Sequence, residues 1–126
     1  MSRLRVLICE DEGLTALRYR ATLTRLGCEV VGSAANGEQV VEAAARLSPD
    51  AILMDIEMPQ LDGIAATQRI MANSPTAIVI VSAYSDREVV ERAMDAGASG
   101  YLVKPATDEQ IRVTLQAAVE RFAQRQ

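Results

Sequence analysis

Two short stretches of the sequence decide the fold, and each runs from apolar residues directly into acids. The first is VLICEDEG (residues 6–13), in which the apolar run is followed at once by Glu10 and Asp11. The second is AILMDIE (residues 51–57), in which the apolar run ends at Asp55. Short continuous apolar runs rich in β-branched residues are typical of strands covered on both faces of a parallel sheet.

Five runs of this kind alternate with amphipathic helical stretches along the chain. The predicted strands are Val6–Cys9, Glu29–Ser33, Ala51–Met54, Ala77–Ser82 and Tyr101–Val103. Right-handed crossovers between parallel strands place helices on both faces of a sheet. A closed eight-unit barrel needs about twice this length. We therefore predict an α/β fold, a doubly wound five-stranded parallel sheet in one domain over residues 1–126. For this sheet we expect the order 2-1-3-4-5, which is that of flavodoxin-like (βα)5 folds.

Local signals also bound the predicted helices. The first helix is expected to run from Leu14 to Leu26 and to stop at Gly27, since glycine is favoured just past a helix C-terminus. Capping motifs are predicted at Asn36–Gln39, Ser85–Glu88 and Thr107–Gln110. The helix after the last motif carries an apolar stripe that we expect to face the core: Ile111, Leu115, Ala118, Val119 and Phe122.

Composition excludes several classes of protein. The 126 residues are 49% hydrophobic and 24% charged with a net charge of −4, and no basic run suits a nucleic-acid surface. No apolar stretch reaches the ~20 residues of a membrane span, and the N-terminus lacks a signal-peptide core, so a cytoplasmic protein is expected. Cys9 and Cys28 are predicted to be reduced core residues. The absence of histidine excludes Ser-His-Asp triads, imidazole metal ligands and a phosphohistidine on this chain.

The acids of the two stretches are expected to meet. Ligands of a doubly wound sheet bind at the carboxyl ends of the strands, where the strand order reverses. In the predicted order this point lies between the first strand, which ends in Glu10 and Asp11, and the third strand, which ends in Asp55. Such a cluster of carboxylates implies a hard cation that prefers oxygen ligands. At the same edge, Ser82 ends the fourth strand and Lys104 ends the fifth.

Each of these residues also has an ordinary structural interpretation. Acids at strand ends are common helix caps, Ser82 alone suits a cap, Lys104 alone suits a surface charge, and Tyr101 alone suits a half-buried strand position. Their occurrence together, each at the carboxyl end of a different strand, favours a functional site.

The motifs resemble the receiver domain of bacterial two-component response regulators, and the resemblance covers nearly the whole chain. It rests on Glu10-Asp11, on MDIEMPQLDGI with Asp55, Pro59, Asp62 and Gly63, on Ser82 in VSA, and on GYLVKP with Tyr101, Lys104 and Pro105. Two departures are mild. Glu10 stands where aspartate is frequent in the family, and Ser82 replaces a common threonine while keeping the hydroxyl.

The resemblance implies a signalling phosphoacceptor rather than an enzyme acting on a separate substrate. Asp55 is expected to receive a phosphoryl group from the phosphohistidine of a sensor histidine kinase or a phosphotransfer protein, and the domain catalyses its own phosphorylation and dephosphorylation. Lys104 and Ser82 are expected to contact the phosphoryl group. The expected cofactor is Mg²⁺ or Mn²⁺, with these ligands: Glu10 through a water, Asp11, Asp55 and the backbone carbonyl of Glu57.

The resemblance also implies a switch. Ser82 and Tyr101 are the expected switch residues, and the Lys104–Pro105 peptide bond is expected to be cis. Glu57 and Tyr84, two residues after Asp55 and Ser82, are expected to tune the lifetime of the phosphoryl group. The output surface is expected over residues 86–122, where charges of both signs suit a weak homodimer favoured by phosphorylation.

Two other functions are weighed against this interpretation. A phosphohydrolase of the haloacid dehalogenase type also uses a strand-end aspartate, magnesium and a lysine, but it needs a second aspartate where this chain has Glu57, and a cap segment. A non-phosphorylated interaction module of the same fold would be expected to lack some of the motif residues. The chain suits either a single-domain regulator or the N-terminal part of a longer one, such as an RNA-binding antiterminator.

Overall fold

The computed structural model describes residues 3–57 and 62–125, and within them five strands alternate with five helices. The strands are β1 (Arg5–Cys9), β2 (Glu29–Ala34), β3 (Ala51–Asp55), β4 (Ala77–Ser82) and β5 (Gly100–Val103). The helices are α1 (Gly13–Arg25), α2 (Gly37–Leu47), α3 (Gly63–Asn73), α4 (Arg87–Asp95) and α5 (Asp108–Gln124). Every predicted strand is present, with bounds that differ by at most one residue at either end. None of the helices in the described part of the chain is long and apolar enough to cross a membrane.

The strands form one parallel sheet in the order β2-β1-β3-β4-β5, which confirms the predicted topology. The register brings the carboxyl ends of four strands to one edge. Cys9 pairs with Met54, and Asp55 pairs with Val81. Ser82 pairs with Val103. Any side chain that follows β1, β3, β4 or β5 therefore starts from the same edge of the sheet.

Residues of the inner strands alternate between two apolar cores, one on each face of the sheet. In β3, Ile52 and Met54 pack with residues of α2, α3 and α4, whereas Ala51 and Leu53 pack with residues of α1 and α5. All five residues of β3 are buried. Both faces of these strands are covered, which explains why their sequences are continuously apolar instead of alternating with polar residues.

The apolar stripe of α5 lies in the second core as predicted. Ile111, Leu115 and Ala118 are buried, and Val119 and Phe122 are partly buried against them. The two cysteines lie on opposite faces of the sheet, because Cys9 belongs to the first core and Cys28 packs against the second. The Cys9 thiol donates a hydrogen bond to the Asn36 carbonyl.

Most of the predicted helix ends are present, but the capping box at Ser85–Glu88 is wrong. Asn36 caps α2, and Thr107 forms a complete capping box with Gln110 at α5. Helix α4 instead begins at Arg87, with Asp86 as the N-cap residue and no side-chain capping bond. The loop before α4 is held through position 84 by hydrogen bonds to its backbone, so the helix begins one residue later than the motif indicates.

Candidate functional site

The acids of the two opening stretches meet at the carboxyl edge of the sheet. Carboxylate oxygens of Glu10, Asp11 and Asp55 lie within 4.8 Å of one another. Asp55 ends β3 and Glu10 follows β1, and both are 4% exposed, whereas Asp11 is exposed. The third acid of the first stretch is not in the described cluster, because the Glu12 carboxylate caps α1 by accepting hydrogen bonds from the backbone and hydroxyl of Thr15.

Lys104 brings a positive charge to this cluster from the end of β5. Its Nζ lies 3.2 Å from Asp55 Oδ2 and 3.6 Å from Glu10 Oε1. The Lys104 backbone N–H donates to the carbonyl of Ser82, and the Lys104–Pro105 peptide bond is cis. The backbone of Lys104 is therefore hydrogen-bonded to β4, and this bond positions the Lys104 ammonium beside the acids.

Backbone N–H groups donate hydrogen bonds to some of the carboxylate oxygens of the cluster but not to others. Asp55 Oδ1 accepts the Glu57 N–H at 3.0 Å, and Glu10 Oε2 accepts the Glu12 N–H at 3.1 Å. Glu10 Oε1 is buried, and no donor among residues 3–57 and 62–125 is within hydrogen-bond distance of it; the Lys104 ammonium lies 3.6 Å away as an ion-pair partner. A buried carboxylate oxygen without a donor is costly unless a cation or a proton compensates it.

Burial and neighbouring charges shift the protonation of this site. Burial raises the pKa of Glu10 to about 7; the Glu12 N–H opposes the rise, and the negative charge of Asp55 adds to it. Burial by itself lowers the pKa of Lys104, but the hydrogen bond to Asp55 and the charges of both carboxylates leave it above its usual value. The site thus holds a firmly charged ammonium beside an excess of acid.

This donor set fits a hard divalent cation. Mg²⁺ and Mn²⁺ prefer carboxylate, carbonyl and water oxygens, and they are commonly held by one or two carboxylates. Three carboxylates face one lysine here, and one buried carboxylate oxygen lacks a donor among the described residues. A cation bound between Glu10, Asp11 and Asp55 would offset the excess negative charge, and coordination would compensate the buried oxygen for its missing hydrogen bond.

The predicted switch residues are joined through the backbone of Tyr84. Ser82 ends β4 one position beyond Val81, the partner of Asp55 in the sheet, and it is fully buried. Its hydroxyl oxygen accepts the Tyr84 N–H at 3.0 Å. The Tyr101 hydroxyl donates to the Tyr84 carbonyl at 2.7 Å. Tyr84, in the loop after β4, is therefore hydrogen-bonded both to the end of β4 and to β5.

The remaining motif residues support the position of Asp55. Asp62 caps α3 by accepting the Ala65 N–H, and Gly63 donates its N–H to the Ile56 carbonyl. A Cβ at position 63 would lie 2.4 Å from the backbone oxygen of Asp55, so only glycine allows this approach. Glu57 is exposed, and Pro59 of the same motif lies outside the described residues.

Comparisons with known proteins agree with this geometry. The family model for the response regulator receiver domain matches residues 6–116. The transcriptional regulatory protein PdtaR of Mycobacterium tuberculosis is 43% identical over 118 residues, which are 94% of this chain and 58% of that protein. The chain thus spans somewhat over half the length of this relative.

Solved structures show the same similarity. The signal receiver domain of a modulated diguanylate cyclase from Desulfovibrio desulfuricans G20 has a TM-score of 0.90 and 32% identity, covering 99% of this chain and 100% of that one. The CheX-CheY-BeF3-Mg complex from Borrelia burgdorferi has a TM-score of 0.84 and 27% identity, covering 94% of this chain and 89% of the matched chain. With its acid cluster, strand-end lysine and matching family model, this chain belongs to the response regulator receiver domain family.

Proposed function

We propose that Asp55 accepts a phosphoryl group from the phosphohistidine of a sensor histidine kinase or a phosphotransfer protein. The observation that carries the proposal is the position of the Asp55 carboxylate. One oxygen accepts the Glu57 N–H, the other lies 3.2 Å from Lys104 Nζ, and two further acids lie beside it. A buried carboxylate held in this way is oriented for attack.

In the proposed transfer, an Asp55 carboxylate oxygen forms a bond to phosphorus and the phosphorus–nitrogen bond of the donor histidine breaks. The leaving imidazole takes up a proton, and an aspartyl phosphate remains on Asp55. Lys104 stabilises the negative charge on a phosphoryl oxygen from its place beside Asp55. Asp11, Asp55, the Glu57 carbonyl and, through a water, Glu10 would hold Mg²⁺ or Mn²⁺, which would neutralise further negative charge when bound.

The aspartyl phosphate is proposed to act on the loop after β4. The Ser82 hydroxyl, which accepts the Tyr84 N–H in the structure, is adjacent to Asp55 in the sheet and would donate to a phosphoryl oxygen. Movement of this loop changes the hydrogen bond between Tyr84 and Tyr101. The proposed output surface is residues 86–122, which a second copy would contact weakly and in a salt-sensitive way.

The proposed role is that of a phosphoacceptor whose only catalysis is on its own aspartate. The receiver portion would act in the cytoplasm, where it meets its kinase, and would not bind nucleic acid by itself, because its net charge is −4. Because the chain spans 58% of the PdtaR relative, the output of the whole protein is a separate proposal, and an RNA-binding antiterminator is one candidate.

Incubation with acetyl phosphate and magnesium, followed by intact-mass measurement, tests the transfer. We expect one phosphoryl adduct on the native protein and none on Asp55→Asn. Asp86→Asn is the matched control, since Asp86 is exposed and its side chain makes no capping bond. An adduct that persists in Asp55→Asn, or that forms equally well with excess chelator, would contradict the proposal. No adduct on the native protein would favour the non-phosphorylated interaction module.

A further inference from the structure

A cluster of three polar side chains joins α1 to the first turn of α5. Arg25 donates to Asp108 Oδ2 through Nε at 3.2 Å and through Nη2 at 2.9 Å. The buried Thr22 hydroxyl donates to Asp108 Oδ1 at 3.1 Å and accepts a hydrogen bond from Arg25 Nη2, also at 3.1 Å. Both oxygens of the Asp108 carboxylate are therefore engaged by α1.

This cluster connects the two sides of the phosphoacceptor site through the chain. Helix α1 begins at Gly13, two residues after Asp11, and it contacts Asp108 from its last turn; α5 begins four residues after Lys104. The segment between Lys104 and Asp108 is short, and it ends at Thr107, the cap of α5. Holding the first turn of α5 against α1 therefore restricts where Lys104 lies relative to the acids.

The Lys104 end of this segment is already held. Its backbone N–H donates to the Ser82 carbonyl, while its Nζ reaches Asp55. With β4 holding one end and α1 holding the other, the segment is restrained at both ends. A hydrogen bond at 3.2 Å between Nζ and a carboxylate oxygen is sensitive to small shifts of the lysine backbone.

We propose that Asp108 is a positioning residue for Lys104, acting through the start of α5 and held in place by Thr22 and Arg25. This inference rests on the proposed phosphoacceptor function of Asp55. Asp108 touches neither Asp55 nor a phosphoryl group; it limits the displacement of the segment that carries Lys104. The alternative is that the cluster only joins two helices and contributes to stability alone.

Asp108→Asn tests the proposal, with phosphorylation by acetyl phosphate measured at saturating magnesium. Arg25 and Asp108 are about half exposed, at 60% and 48%, and solvent weakens an exposed ion pair of this kind, so its loss should have a small effect. We therefore expect a rate roughly twofold to fivefold lower. The magnesium dissociation constant should stay unchanged, because Asp55 ends β3 and the other two acids lie in the loop between β1 and α1, and none of them is on α5. A merely structural role would lower thermal stability without this loss of rate.

Glu109→Gln is the matched control. It removes an acid from the same turn of α5, but the Glu109 carboxylate pairs with Arg112 within that helix. It should leave the phosphorylation rate unchanged. Arg25→Gln is the second variant, removing the same contacts from the α1 side, and it should reproduce the loss. Equal losses in Glu109→Gln and Asp108→Asn would overturn the proposal, since they would trace the effect to helix charge.

A double-mutant cycle with Lys104→Ala decides whether the effect passes through the lysine. In that background Asp108→Asn should cause no further loss of rate, because the group being positioned is gone. If Asp108→Asn lowers the phosphorylation rate by the same factor with and without Lys104, the two effects are independent and the proposal is overturned. The two hypotheses fail differently: a native protein that takes up no phosphoryl group contradicts the function of Asp55, whereas a phosphorylated native protein with a fully active Asp108→Asn variant contradicts only the positioning role.

Discussion

The Tyr101 hydroxyl donates a hydrogen bond of 2.7 Å to the backbone carbonyl of Tyr84. The backbone N–H of Tyr84 donates to the hydroxyl oxygen of Ser82, and Ser82 ends β4, the strand that pairs with β3 next to Asp55. Two hydrogen bonds, from Tyr84 to Ser82 and from Tyr101 to Tyr84, therefore connect the Ser82 hydroxyl to β5, and a change at that hydroxyl is expected to affect both. This route uses backbone atoms of Tyr84, so it is independent of the side chain at that position.

Tyr101→Phe should separate phosphorylation from the response of the output surface. The substitution keeps the ring and removes the only donor to the Tyr84 carbonyl that the structure describes. Phosphorylation by acetyl phosphate should be nearly unchanged, since the Tyr101 hydroxyl is hydrogen-bonded to the Tyr84 carbonyl and not to the acids in the described part of the chain. Amide exchange over residues 86–122, compared with and without beryllofluoride, should change less than in the native protein. A native-like exchange response in the variant would contradict the proposed route.

Tyr84→Ala should shorten the lifetime of the phosphoryl group. The side chain is 48% exposed two residues after Ser82, where its bulk can obstruct a water approaching Asp55. Because the backbone bonds to Ser82 and Tyr101 remain, a faster rate isolates the effect of the side chain. Tyr84→Phe is the control and should stay native-like.

Glu57 is expected to influence the same hydrolysis, and Glu57→Ala should therefore change the rate. The dephosphorylation rates of both variants are measured as the loss of phosphate from the purified phosphorylated protein after the phosphoryl donor has been removed. A rate for Tyr84→Ala that is equal to or slower than that of the native protein would argue against steric protection of the phosphoryl group.

Glu10→Gln should stabilise the metal-free protein at neutral pH. Burial raises the Glu10 pKa from 4.5 to about 7, so folding favours the protonated form. The corresponding stability is fully present below pH 4.5 and is lost as the pH rises through about 7. In chelator, the native free energy of unfolding should fall across this window and that of Glu10→Gln should fall less. Glu42→Gln, at an exposed ion pair of α2, is the control. Parallel pH profiles for the native protein and Glu10→Gln would contradict this explanation.

Asp11→Asn should weaken magnesium binding more than Glu10→Gln. Asp11 is the exposed member of the cluster. Glu10 is buried, one of its oxygens accepts the Glu12 N–H, and its longer side chain suits a water-mediated contact with the metal. A metal titration of both variants, in the absence of a phosphoryl donor, measures the two dissociation constants. The opposite ranking of the two constants would show that Glu10 is the more direct ligand.

Gly63→Ala should destabilise the protein and disturb Asp55. The new Cβ would lie 2.4 Å from the Asp55 carbonyl oxygen and 2.7 Å from the Ile56 Cα, and neither backbone atom can move independently. Overpacking of this kind costs about 1–3 kcal/mol, which thermal or denaturant unfolding can resolve. Gly13→Ala is the matched control at another helix start, where nothing lies within 4 Å of the added Cβ. Equal stability of the two variants would contradict the close approach.

Much of this fold follows from short-range patterns. The apolar runs of β3 and β4 are covered on both faces, and their continuous apolar character is visible without any contact information. Four residues, Thr107–Gln110, are enough to predict the capping box of α5, and the structure contains it. The error at Ser85 arose because the same kind of motif lies next to a loop held by hydrogen bonds to β5, and those contacts decided where α4 begins.

The positions of the strands could be predicted from the sequence, because continuous apolar runs are local features of the chain. The carboxyl ends of parallel strands share one edge of a sheet, so the same runs also predicted that Glu10, Asp11, Asp55 and Lys104 lie together. Tertiary packing was needed to establish that Glu12 caps a helix while Glu10 is buried, and that one Asp55 oxygen accepts the Glu57 N–H while the other lies beside Lys104. It alone joined Arg25 to Asp108 across 83 residues. Such contacts depend on how distant elements pack, and no local pattern encodes the distance between them.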